Sequence, residues 1–477
     1  MKQIRIFSLL SLAILIGSCD LNPIPESATT VENFFNDDDE ILSGIINIYD
    51  GIQGSNPLEG EGGFNNPYLS VQVEYQLGET LSDNGRTKSG SPQGFDFETF
   101  DVLPETLAVT TYYRSMYNVI FRANLVLENL DNASTGNRNV FEAEIRFLRA
   151  YAYFNLVRYY GDVPLVDRVI GPEETEIGFT RVAESQIYDL ILGDLEFAEA
   201  SELDNSSRTR ASKAAVQVLL AKVYMTLGTN YLAAQRLLED VIDSGDYQLE
   251  DSLLDVFYNE DNNETIFAIG YDDTVVNDSQ GFSAEFLDAV GRGTGSNYAT
   301  SELVALFDVI GGNRGPVSFR EDPGNPGLFQ CAKYLPIIDE EVGVTSAPAN
   351  PRIAGNDLIV IRYADVLLLH VEAIMAGGQE TSVAAALASF QAVRNRAGLT
   401  DTVTNITKQD LMDERRVELA FENHRFLDLK RFGVAQEVLS AFSAANSFNF
   451  QATDLLLPIP SAEISISQGL LVQNPGY

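Results

Sequence analysis

Apolar residues return every three or four positions along much of the chain. Each such stretch predicts an amphipathic helix with one buried face. Ile41, Leu42, Ile45, Ile46 and Tyr49 line one side of a segment that opens at Asp37 with acids in its first turn, where the partial positive charge of a helix start favours them. Tyr117, Ile120, Phe121, Asn124, Leu125 and Leu127 mark a helix over about 111–131. The clearest stripe is Ile145, Leu148, Ala152, Leu156 and Tyr159 within 139–160. Gly161 follows as the terminating residue, and Pro164 prevents continuation. Further helices are predicted at 182–200, 211–227, 231–244, 360–376, 382–397 and 408–431, with Ala214, Ala215 and Ala221 allowing close helix contact.

Two stretches break this rhythm. About 51–110 and 245–355 are rich in Gly, Asn, Ser and Pro, with scattered aromatics and short β-like runs such as 265–269. Long irregular segments in a folded chain usually carry function or are disordered. The tail from 452 is irregular as well. Helix pairs of roughly 34 residues resemble tetratricopeptide units, which bury a core only by stacking. The expected fold is therefore mostly α: a tetratricopeptide-like helical-pair scaffold with long loop-rich insertions, forming a single domain over 36–477.

The N-terminus has another pattern. Lys2 and Arg5 precede the apolar run 6–16, which is too short to span about 30 Å of hydrocarbon comfortably. Leu15-Ile16-Gly17-Ser18-Cys19 follows and resembles a lipobox, where a peptidase cuts before a cysteine that carries lipid. Residues 1–18 are thus expected to be a lipoprotein signal peptide, Cys19 the lipidation site, and 19–35 a flexible tether. No later apolar run is long enough for a transmembrane helix.

Charge and composition narrow the chemistry. The 477 residues carry 31 Lys plus Arg against 69 Asp plus Glu, a net charge of −38. A chain this acidic is a poor partner for nucleic-acid phosphates and disfavours polyanionic ligands, unless Arg86, Arg292, Arg314 and Arg320 gather into a local basic patch. The two Cys and two His, at 19, 331, 370 and 424, have no zinc-ligand spacing. No EF-hand loop, P-loop, dinucleotide fingerprint or nucleophile elbow is present. Neither metal nor cofactor is expected. Once the signal is removed, Cys331 is the sole thiol and is expected to be buried.

The most tempting catalytic constellation is Glu414, Glu418 and Glu422, spaced by four, followed by Arg425, Asp428 and Arg431. Two carboxylates on one helix face can serve as general acid and base. They can also be the acceptors of a structural network of Arg forks, and this second reading is the one expected. His370, inside an apolar helix, reads as a hydrogen-bonded core residue; His424 is assigned no chemistry. Recognition is expected to depend on the loops, where flat rings can stack on sugar C–H faces and polar groups can meet hydroxyls. The first loop region offers Phe64, Tyr68, Tyr75, Asp83, Asn84, Arg86, Phe95 and Phe97, and the second Tyr271, Phe282, Arg292, Asn297 and Tyr298. Among them Tyr68, Tyr75, Asn84, Arg86, Tyr271, Arg292, Asn297 and Tyr298 are the candidate ligand-binding residues, with the four tyrosines as stacking platform.

Several segments resemble the SusD/RagB family, the surface glycan- and nutrient-binding lipoproteins of Bacteroidota. They run in that family's order: Glu142 to Leu165, Arg210 to Tyr224, Ile361 to Leu369, Val393 to Leu399, Glu414 to Glu422 with Arg425 and Asp428 to Arg431, Leu457-Pro-Ile-Pro460, and the terminal Gln473 to Tyr477. Departures are His370-Val371 before Glu372, Asn423 where Gly is common, and Tyr112 or Tyr113 at a place often held by Trp. The resemblance implies a SusD-like fold and a binding subunit without enzymatic activity or cofactor. It also implies attachment to the outer membrane by lipid, exposure at the cell surface, and service as the lid of a SusC-like TonB-dependent transporter. The cargo it implies is an oligomeric nutrient, most often an oligosaccharide or polysaccharide. A peptide is the alternative, and the absence of Trp raises its weight.

Overall fold

The computed structural model describes residues 34–54, 70–87, 94–260, 262–275, 278–286, 298–322, 325–335 and 353–477. The signal segment 1–18, Cys19, most of the tether, Tyr68, Arg292 and Asn297 lie outside the described residues. The chain is mostly helical. Its longer helices are α1 (Asp38–Gln53), α2 (Leu107–Glu128), α3 (Arg138–Tyr160), α4 (Glu184–Glu199), α5 (Lys213–Thr226), α6 (Tyr231–Ser244), α7 (Leu253–Tyr258), α8 (Ser301–Ile310), α9 (Tyr363–Met375), α10 (Ala384–Arg396), α11 (Lys408–Glu418), α12 (Arg425–Arg431) and α13 (Ala435–Asn446).

Local chemistry sets many of these ends. Asp37 caps α1 by accepting from the Glu40 N–H, and Ser212 caps α5 by accepting from Ala215; either cap contributes about 1 kcal/mol. Thr407 and Asp410 form a reciprocal capping box on α11. Gly161 closes α3 at φ +73°, donating its N–H to the Val157 carbonyl, a backbone position that glycine adopts without strain.

Packing follows chain order from α1 through α6, and α6 then packs on α9, which packs on α10. The stack of helix pairs thus continues across the whole second insertion. Its core forms one large cluster and a smaller one between α9 and α10, and the large one is rich in tyrosine. Tyr153 and Tyr160 are fully buried and donate to the carbonyls of Val166 and Val109, at 3.0 and 2.7 Å.

Four small antiparallel sheets are present among the described residues, and two of them bear on the site. One orders its strands β1 (Gly85–Arg86), β3 (Tyr298–Ala299), β5 (Phe329–Cys331) and β4 (Phe319–Glu321), with Arg86 opposite Tyr298, Tyr298 opposite Gln330, and Phe319 opposite Cys331. It joins the two loop-rich insertions. The other pairs β2 (Thr265–Ile269) with β6 (Leu358–Arg362), and its register shifts twice between Thr265 and Ala268. Such bulges re-aim side chains and are frequent beside functional sites.

Three expectations change. The segment 360–376 begins as strand β6, where Ile359, Val360 and Ile361 suit a sheet, before α9 starts. The expected helix 408–431 is two helices: Phe421 and Asn423 take φ +65° and the chain turns between α11 and α12. Asparagine tolerates that conformation better than most residues, which accounts for Asn423 at a position where Gly is common. Helix α13 and the short α7 and α8 were not anticipated, because loop-like composition around them masks their apolar faces.

Candidate functional site

The acidic run on α11 and α12 is interior, and its carboxylates are held by cations. Arg314 donates to Glu414 at 2.6 Å and Glu418 at 2.9 Å. Arg362 reaches Glu264, Glu418 and Glu422 at 2.7, 2.6 and 2.6 Å. Lys333 meets Glu422 at 2.5 Å, and Arg396 meets Glu418 as well. Arg415 bridges Asp365 and Asp428, while Asp83 is shared by Arg416 and Arg425. Burial by itself raises the Glu418 carboxyl, but Arg396, Arg362 and Arg314 hold it well below the usual carboxylate range. A general acid needs a carboxyl that keeps its proton near neutral pH; Glu418 and Glu422 do the opposite. Two expectations are corrected. Glu422 lies in the turn after α11, so it does not share the helix face of Glu414 and Glu418. Arg314 is fully buried, because its guanidinium neutralises that pair, so it cannot contribute to a basic surface patch.

The other singled-out groups also turn inward. His370 is buried, with Nδ1 2.9 Å from the Ser389 hydroxyl, and burial lowers its pKa. Burial likewise lowers His424 to about 4 and pushes the Cys331 thiol up to about 12, so Cys331 is an inert core residue.

Among the described residues, a cleft of about 860 Å³ lies between the sheet of β2 and β6 and the loops around it. That volume suits a small ligand or a few units of an oligomer. Thr265, Ala268 and Ile359 of the sheet form its floor. Ser206–Thr209, from the α4–α5 connection, form one wall, and the end of α7 with Asn259, Glu260 and Asn262 another. Tyr271–Asp273 and Gly355–Asp357 close it. The walls are brought together by backbone. Ala268 donates to the Arg208 carbonyl at 2.8 Å, and Gly270 sits so near Thr209 that a side chain there would meet its methyl at 3.0 Å.

The polar groups of this cleft are poorly neutralised. The Thr265 hydroxyl is buried and has no hydrogen-bond partner among the described residues; orphaned groups of this kind are rare and call for an explanation. Arg208 lies over the Tyr247 ring at 4.4 Å, and its Nη1 has no partner among the described residues either. Asp357 accepts the Tyr271 N–H at 2.9 Å, and burial raises its carboxyl to about 7. Asp272 accepts from the Thr274 N–H and hydroxyl, which lower its pKa.

The sequence-derived candidates separate. Tyr271 is the one that lines this cleft; its ring is mostly buried and its hydroxyl donates to the Gln53 carbonyl at 2.9 Å. Tyr75 is buried beside Phe286, and Gln76 donates to its hydroxyl at 2.9 Å. Tyr298 is fully buried and donates to Asp322 at 2.8 Å. Neither turns a ring face outward, because each ring fills the core beneath its loop. Asn84 is interior too, donating to Glu79 at 3.0 Å and accepting from Arg416 at 2.7 Å. Arg86 is half exposed, 3.9 Å from Glu98, on the four-stranded sheet. Sequence reasoning missed Ser206–Thr209, Asn259, Asn262 and Asp357. The signal was there: Ser-Ser-Arg-Thr and Asn-Glu-Asp-Asn-Asn are dense in hydrogen-bonding groups between apolar runs.

Comparison with known proteins places this architecture. A model of the SusD family matches residues 322–477, and a model described as starch-binding associating with outer membrane matches 68–225. SusD-like protein P2 of Formosa agariphila is 26% identical, with all of each chain covered. A solved laminarin-binding SusD-like protein is 26% identical at a TM-score of 0.74, over 93% of this chain and 100% of the other. A SusD homologue of Bacteroides thetaiotaomicron superposes with a TM-score of 0.78 at 20% identity, over 95% and 100% of the two chains, and shares the fold. No helix among the described residues is long and apolar enough to cross a membrane.

Proposed function

The chain belongs to the SusD/RagB family, and from that premise we propose that it binds an oligomeric glycan in the polar cleft and passes it unaltered to a TonB-dependent outer-membrane transporter. The observation that carries the reading is the pair of polar atoms, Thr265 Oγ1 and Arg208 Nη1, that lack a partner among the described residues lining a cleft of about 860 Å³. A sugar ring supplies hydroxyls that donate to Asp357 and Thr265 and accept from Arg208 and Thr265. Tyr271 gives the cleft an aromatic edge, while the rest is polar and suited to hydroxyl recognition. The laminarin-binding relative makes a neutral glucan the first probe.

Anchoring is proposed through lipid on Cys19, with residues 19–35 as tether to the body at 36–477. Cys19→Ala is then expected to release the protein from the membrane fraction. Tyr68, Arg86, Arg292 and Asn297 are proposed to extend recognition beyond the cleft.

Affinity electrophoresis against a panel of neutral polysaccharides tests the site. Thr265→Val keeps the shape and removes only the orphaned hydroxyl, and Asp357→Asn keeps an acceptor while changing the charge. Each is expected to weaken retention about tenfold, the usual scale for one good hydrogen bond to a bound ligand. Unchanged retention in both variants overturns the assignment. Retention of peptides and of no polysaccharide favours the peptide-carrying alternative, and turnover of the bound oligomer refutes a purely binding role.

A further inference from the structure

We propose that the cleft discriminates by charge, admitting uncharged glycans and turning away sulfated or uronate-bearing ones. The inference rests on the carbohydrate reading of the same site. The cleft presents Asp272, Asp273 and Asp357 around its mouth and wall, together with Glu260, which has an interaction of its own, and Arg208 is the one lining cation among the described residues. Asp272 is exposed and kept ionised by the two donors of Thr274. Asp273 sits across from Gly355, whose missing side chain lets the two rims approach; a Cβ there would come within 3.1 Å of the Asp273 nitrogen.

Arg208 does not reverse this balance. Its guanidinium carbon lies 4.4 Å from the Tyr247 ring centroid, and its Nη2 donates to the Asp246 carbonyl at 3.5 Å. A polyanion brings several charges into the same volume and meets the acids from two sides. Arg314, a candidate for a basic patch, is locked inside between Glu414 and Glu418, and the chain as a whole carries −38. Repulsion at a few ångströms from the mouth survives physiological salt, where screening extends over about 8 Å.

A second, independent observation marks the place as built for a ligand rather than as a chance acidic surface. The Thr265 hydroxyl, on a side chain 4% exposed, lies at the floor without a partner among the described residues. A hydroxyl both donates and accepts, which matches a sugar hydroxyl better than an anionic oxygen, since the latter only accepts. Asp357 behaves likewise: a carboxyl that holds its proton to about pH 7 donates to a sugar oxygen when protonated and accepts from a sugar hydroxyl when ionised.

The test uses matched pairs, with laminarin, xylan and galactan each run against its chemically sulfated form by affinity electrophoresis in 150 mM salt. The intact protein is expected to be retained by at least one neutral polymer and at least tenfold less by its sulfated partner. The triple variant Glu260→Gln, Asp272→Asn, Asp273→Asn should shrink the ratio of neutral to sulfated retention to about threefold, and that ratio, not the neutral affinity, is the readout. Thr265→Val should weaken retention on the neutral form. Sulfated polymers held as tightly as neutral ones by the intact protein would overturn the charge filter while leaving the carbohydrate reading standing. So would a gap that the triple variant leaves unchanged. Retention of no polysaccharide in either form overturns the carbohydrate reading, and the filter with it.

Discussion

Two parts of this molecule are crowded with carboxylates, and they use them in opposite ways. Between α8, α11, α12 and β6 the acids are interior and each meets one or more Arg or Lys side chains. In the cleft beneath β2 the acids face a concavity with a single lining arginine. Their proton affinities diverge accordingly. Burial would raise Asp83, yet Arg416 and Arg425 bring it down to about 2. Burial raises Asp357 to about 7, and the neighbouring Glu260 adds to the rise. Acid content therefore does not identify a site; the presence or absence of the counter-charge does.

The comparison breaks most visibly if one arginine is removed from the network. Arg362→Ala strands Glu264, Glu418 and Glu422 in the interior without their shared donor. Removing one partner of a buried ion pair costs about 3–5 kcal/mol, and here three acids are affected. Urea denaturation is expected to show at least that loss, with much of the protein insoluble. A loss under 1 kcal/mol would mean that the network is not what holds α11 and α12 to β6.

A smaller effect, of opposite sign in the two regions, should appear on titration. Acids lowered in the folded state, such as Asp83, stabilise it above their unfolded pKa, and that stability is lost as pH falls from about 4 through about 2. Acids raised in the folded state behave the other way. Burial lifts Asp357, Glu74 and Glu79 to about 7, so their stability contribution is full below about pH 4 and disappears as pH rises through 7. Asp357→Asn keeps the acceptor for Tyr271 and cannot ionise. It should gain stability over the parent above pH 7, on the order of 3 kcal/mol, and none below pH 4. Denaturation curves of both proteins at pH 4, 6 and 8 check this, and parallel pH profiles would contradict it.

Much of this contrast was legible in the sequence, but unevenly. The i, i+4 acids with following arginines read as a structural network, and the structure agrees, since charge spacing on a helix is local information. The stripe ending at Tyr159 and Gly161 fixed α3 to within a residue, and 231–244 matched α6. The turn at Phe421–Asn423 was illegible because its reason is distant: Glu422 must leave the helix to meet Lys333 and Arg362. The cleft was illegible for the same cause. Its lining comes from 206–209, 256–260, 262, 271–273, 355–357 and 359, and nothing local says that these meet. Loop aromatics proved a weak guide, because rings such as Tyr75 and Tyr298 serve as plugs under the loops that carry them.

A weaker perturbation sharpens the comparison further. Tyr153→Phe removes a fully buried hydroxyl that donates to the Val166 carbonyl at 3.0 Å and accepts from the Val166 N–H at 2.7 Å. The change leaves both groups of that residue without this partner and should cost about 1–2 kcal/mol. Thermal denaturation is expected to show it with no change in ligand retention, because the helical stack is separate from the cleft.

The smallest effect is the most discriminating. Glu260→Gln and Asp273→Asn alter exposed rim acids, and exposed substitutions away from special features usually stay within about 0.5 kcal/mol. If these acids exist for the fold, neutralising them should destabilise it as the network variants do. If they exist for the ligand, melting should stay put while the preference between neutral and sulfated polymer moves. A rim that serves recognition must therefore be silent in a denaturation experiment and audible in a binding one, whereas α11 must be the reverse. A single pair of measurements on Asp273→Asn and Arg362→Ala, stability and retention for each, separates the two uses of a carboxylate within one chain. Equal responses from both variants would erase the distinction.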